Sequence, residues 1–101
     1  MKKNKKRIAL KDVIEKELKN NEFRFYFEHE KAIGQISRMV RAARQKAGIT
    51  QAQLAKLADT SQTVIARLES GTDSRIPSLD LLQRIAQALK ARLLISFDLA
   101  A

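Results

Sequence analysis

Apolar and polar positions along this chain keep a helical period from residue 33 until it drops to two near the end, and the breaks in the pattern mark its elements. From residue 33 the apolar residues Ile36, Val40, Ala43 and Ala47 recur at helical spacing, and Gly48 follows where a left-handed cap would end the helix. Thr50 then opens a second, short helix. Gln53 three residues on completes a capping box, and Leu54, Ala55 and Ala58 fall on one face. Asp59 and Thr60 favour a turn, Ser61 is a good cap for a third helix, and Ile65 with Leu68 gives that helix an inward stripe. Its opposite face carries Gln62, Thr63, Ala66 and Arg67. After the loop TDSRIP, Ser78 caps a fourth helix with Leu79, Leu82, Ile85, Ala86 and Leu89 inward. The period then drops to two. Leu93, Ile95, Phe97 and Leu99 alternate with Leu94, Ser96 and Asp98, the pattern of a strand over 91–101.

The first third of the chain has a different character. Residues 1–11 hold six basic residues and no acidic one, which suits either a solvated tail or an arm lying along phosphates. In 12–32, Asp12 and Glu15 resemble a capping box, Ile14 and Leu18 indicate a short helix, and Asn20-Asn21 marks a break before a second one. Phe23, Phe25, Tyr26 and Phe27 are four of the chain's five aromatic residues, and one helical face cannot bury them all. Alternation of Phe23, Phe25 and Phe27 would suit a strand, but the Glu-His-Glu-Lys-Ala continuation favours helix. They suit a clasp over the core and a protein-binding surface equally.

A length of 101 residues fits one domain with a modest core, and the net charge of +9 favours polyanionic partners, nucleic acid before an anionic membrane surface. The basic start resembles a signal peptide, but the charges in IALKDVIEKELK replace the apolar run one would need, and no segment is apolar enough to span a bilayer. With one histidine and no cysteine, His29 is not expected to bind metal, and no cofactor or catalytic group is expected. The chain is not read as an enzyme.

These residues together resemble the helix-turn-helix of the lambda-repressor-like (XRE and Cro) family over about residues 33–90. The resemblance rests on Arg44 four residues before Gly48, on Gln51, on Leu54-Ala55, on Leu68-Glu69-Ser70-Gly71, and on Pro77-Ser78-Leu79. One position departs from the pattern, since Asp59 stands in the turn where the family often has glycine. The fold expected is all-α: a helix-turn-helix bundle with an N-terminal helical extension and a short C-terminal strand used in dimerisation.

The resemblance implies contacts residue by residue. Gln62, Thr63 and Arg67 are expected at base edges, and Gln51, Ser61 and Arg75 at phosphates. Arg44 is expected to pair with Glu69, fixing the angle of the reading helix. Leu93, Ile95 and Phe97 are the dimerisation candidates; the strand could instead fold back on its own domain, but pairing between copies is favoured because each such domain reads half a site and a twofold pair places two reading helices about one DNA turn apart. The short chain and its ARLLISF ending after the fourth helix look most like a HigA-type antitoxin. That likeness implies a cytoplasmic homodimer which represses its own operon and binds a RelE-like ribonuclease toxin. Phe23, Phe25, Tyr26 and Phe27 are the toxin-binding candidates, in a segment (12–32) where six acidic residues outnumber four basic ones. A stand-alone repressor of the same family is the alternative.

Overall fold

The computed structural model describes residues 9–99, so residues 1–8 of the basic tail and the last two residues of the expected strand lie outside it. The described residues form four helices: α1 (Leu10–Ala47), α2 (Gln51–Leu57), α3 (Gln62–Ser70) and α4 (Leu79–Ala88). Two compact units divide the chain, residues 1–32 and 33–101.

In the first unit the expected break at Asn20-Asn21 is absent, and the helix runs through it. Asparagine costs an interior turn well under 1 kcal/mol against alanine, and the Glu, Lys and Leu residues on either side favour helix. Asp12 is not the cap. Its backbone N–H donates to the Ala9 carbonyl (2.9 Å), which places its carboxylate in the first turn, where the helix dipole favours negative charge. The FRFYF run is helical throughout.

In the second unit, Val40, Leu54, Ala55, Ala58, Ile65 and Ile85 form a buried core, flanked by Ile36, Ile49, Leu68, Leu81, Ala88 and Leu89. Ala55, 3% exposed, has the small side chain that lets α2 pack closely on α3. Each helix of this bundle is started by the cap its sequence supplies. Thr50 and Gln53 bond each other's backbone (3.1 and 2.8 Å), Ser61 accepts from Val64 (3.2 Å) and Ser78 from Leu81 (3.1 Å). Gly48 at φ 73° follows α1, and Asp59 takes φ 55° in the turn between α2 and α3.

Two inward assignments change. Leu79 is exposed while Leu81 packs on the core, since positions two apart on a helix point in nearly opposite directions and only one of them can face inward. Ala47 is likewise exposed at the end of α1. The larger correction concerns the C-terminus. Residues 91–99 have no regular secondary structure, Leu93 is half-buried, and Ile95, Phe97 and Leu99 are exposed. Alternation supplies the two faces of a strand but not the neighbouring strand whose N–H and C=O groups it must meet, and the described residues contain none.

Candidate nucleic-acid interface

The position of α3 is set by one residue. Glu69, 1% exposed, accepts two hydrogen bonds from Arg44, Nε to Oε2 at 2.7 Å and Nη2 to Oε1 at 3.0 Å, and a third from Gln51 Nε2 at 3.2 Å. Its backbone carbonyl, one of those left without a helical partner at the end of α3, accepts from Ser37 Oγ and from Arg41 Nη2 (2.9 Å). Arg44 also donates to the Ile49 carbonyl (2.8 Å), which joins the end of α1 to the start of α2. Burial pushes the Glu69 carboxyl up, but the hydrogen bonds of Arg44 and Gln51 and the charges of Arg44 and Arg41 outweigh it and hold the group below its ordinary value. The bond to Glu69 likewise raises Arg44 above its usual range.

Gly71 follows α3 at φ 69° and sits against Ser37, whose Oγ lies 3.4 Å from where a β-carbon would stand. A side chain there would meet both the unfavourable backbone region and the hydroxyl that caps the helix. At the other end of the motif, Arg84 Nη1 reaches from α4 to the carbonyls of Ala58 (2.9 Å) and Asp59 (2.6 Å), while its Nε pairs with Asp80 (3.1 Å). Arg84 therefore ties the turn to α4. Sequence periodicity gave no signal for it, because an arginine four residues after an aspartate reads as a surface pair.

With α3 held at its C-terminal end, Gln62 and Thr63 are exposed in its first turn and Arg67 is exposed one turn on, while Ile65 between them is buried. Ser61 precedes them as the cap; its Oγ accepts from Val64, which leaves the hydroxyl proton available for donation. Two of the residues assigned to phosphate are already engaged. The Gln51 amide spends one N–H on Glu69, so its side chain serves the scaffold. Arg75 is bound by Asp73, an acid that the sequence reading passed over. Its Nε meets Oδ1 at 3.1 Å, its Nη2 meets Oδ2 at 2.9 Å, and its backbone N–H meets Oδ1 at 3.0 Å. These bonds hold the half-buried Asp73 carboxyl down at about 2 and raise Arg75. The spacing D-x-R was the available signal, since an Asx turn brings the backbone N–H two residues on to the carboxylate.

The aromatic candidates lie elsewhere, on α1 in the first unit. Phe23, Phe25, Tyr26 and Phe27 are 61 to 72% exposed, and the Phe25 and His29 rings lie 6.0 Å apart. Among the described residues no group of acidic, histidine or cysteine side chains could hold a metal ion, and no helix is long and apolar enough to cross a membrane.

A capped two-helix motif with a polar, outward first turn on its second helix can present side chains to base edges in a major groove. Comparison with curated proteins and with solved structures gives no match. A family model described as helix-turn-helix matches residues 40–94, more than half of the chain, and that span takes in the whole motif from the last turns of α1 past the end of α4. The chain thus belongs to the lambda-repressor-like helix-turn-helix family and carries the DNA-binding domain of a sequence-specific regulator.

Proposed function

We propose that this regulator is an autoregulating antitoxin, which binds its operator as a homodimer in the cytoplasm and neutralises a small, basic, RelE-like ribonuclease through the helical segment 12–32. Gln62, Thr63 and Arg67 read bases, while Ser61, the N-terminus at Gln51 and Arg75 meet phosphates. Leu93, Ile95 and Phe97 serve dimerisation, bringing two reading helices about one DNA turn apart.

One observation carries the toxin-binding reading. Leu10, Val13, Ile14, Leu18, Phe23, Phe25, Tyr26 and Phe27 are between 45 and 73% exposed on one continuous helix. Such a density of uncovered apolar side chains, aromatics above all, is the composition of a binding hot spot, and the acidic excess of the segment suits a basic partner. The test is co-purification of the tagged protein from its native host, followed by an RNA cleavage assay on the partner. We expect a stoichiometric basic protein of about 100 residues whose cleavage of RNA is suppressed by the wild type. Phe25→Ala and Tyr26→Ala, being exposed, should leave the bundle's stability unchanged and weaken inhibition at least about tenfold, the size of a hot-spot truncation. Recovery of the protein alone would favour the stand-alone repressor.

A further inference from the structure

The loop between α3 and α4 places an acid where a nucleic-acid-binding edge should be cationic. Asp73 and Arg75 are joined by three hydrogen bonds, and the carboxylate is the more sheltered partner, with 24% of its side chain exposed against 76% for the guanidinium. The same two residues line a cleft of about 270 Å³ together with Val64 and Arg67 of α3, so Asp73 belongs to the surface that carries the reading helix's own arginine. Of the three charged residues in that cleft, Asp73 alone is negative. One bidentate edge of the guanidinium, Nε with Nη2, is spent on it, which leaves the Nη1 side as the edge open to a phosphate.

We propose that Asp73 limits the affinity of this protein for DNA: it holds Arg75 in an intramolecular clasp with which a phosphate must compete for the guanidinium, and it repels the backbone that Arg75 would approach. The inference rests on the assignment of Arg75 to a phosphate. An exposed pair of this kind is weak enough to open when a duplex arrives, yet its opening subtracts from every binding event. A regulator that must leave its operator gains from such a restraint.

Asp73→Asn separates charge from shape, because the asparagine oxygen still accepts the Arg75 backbone N–H and keeps the loop turn. Binding is measured, across a salt series, to a duplex selected from a random pool by the wild-type protein, for Asp73→Asn, Arg75→Ala and the double variant. The clasp predicts that Asp73→Asn tightens binding about fivefold near 0.1 M salt and steepens the slope of log K against log salt by less than the roughly 0.9 of a whole phosphate contact, since Arg75 already makes its contact in the wild type. In the Arg75→Ala background the same change should yield about twofold or less. If Asp73→Asn weakens binding or leaves it unchanged while Arg75→Ala still weakens it, Asp73 is a loop-ordering residue and the proposal is overturned. If Arg75→Ala alters neither affinity nor slope, the phosphate assignment itself fails, and the restraint with it.

Discussion

Removal of Arg44 should cost the bundle about 3 to 4 kcal/mol at neutral pH, and the cost should shrink in acid. Arg44→Ala deletes both guanidinium bonds to Glu69 and the bond to the Ile49 carbonyl, leaving the 1%-exposed carboxylate with the Gln51 amide alone. A buried carboxylate stripped of its partner costs about 3 to 5 kcal/mol. The penalty has a ceiling, because Glu69 can take up a proton instead of staying charged. From its ordinary value of 4.5, protonation at pH 7 costs about 3.4 kcal/mol, two and a half pH units at about 1.36 kcal/mol each. The lost bond to the Ile49 carbonyl adds roughly 1 kcal/mol at most. In the wild type the Glu69 pKa is lowered on folding, so its contribution is complete above about 4.5 and is lost as pH falls through the lower, folded value. In Arg44→Ala, burial is no longer outweighed and the folded value moves above 4.5, so acidification relieves the variant while it begins to weaken the wild type. Amide exchange at Leu54 and Ile65, both at the centre of the core, reports unfolding of this unit without a contribution from residues 10–32. The reasoning fails if the two proteins exchange alike at pH 7, or if the difference between them stays constant from pH 7 to pH 4.5.

Other substitutions test other parts of the motif. Gln62→Ala and Arg67→Ala should each cost about 1 to 3 kcal/mol on a selected operator and much less on random DNA, as measured by titration of both duplexes; equal losses on the two would make them phosphate contacts. Asp59→Gly should stabilise the bundle by up to about 1 kcal/mol in urea denaturation, since φ of 55° strains an aspartate and not a glycine, and a loss of stability would mean that the side chain contributes to the turn.

Local rules account for most of what the sequence made legible. Thr50 with Gln53, Ser61 and Ser78 are caps whose partners lie three residues away, and the geometry of one turn fixes them whatever the rest of the chain does. Asp59 is similar, because the positive φ belongs to the turn itself. What was misread depends on partners beyond the window. Asn20-Asn21 has the composition of a break, but neither residue forbids helix as proline would, and the neighbours decide. The alternation of residues 93–99 describes two faces and says nothing of what lies beside them. At the site, the exposure of Thr63 and Arg67 followed from the period of α3 and the bond between Asp73 and Arg75 had a local signal in its spacing, whereas the engagement of Gln51 by Glu69, far along the chain, is a choice among donors that spacing cannot rank.

The five hydrogen bonds that meet at Glu69 come from Ser37, Arg41, Arg44 and Gln51, and none involves Gln62, Thr63 or Arg67. The residues proposed to read bases are thus separate from those that hold the nine-residue helix in place. On the proposed base contacts, substitutions at 62, 63 and 67 would change the sequence that is read at little expense in stability, one outward position at a time.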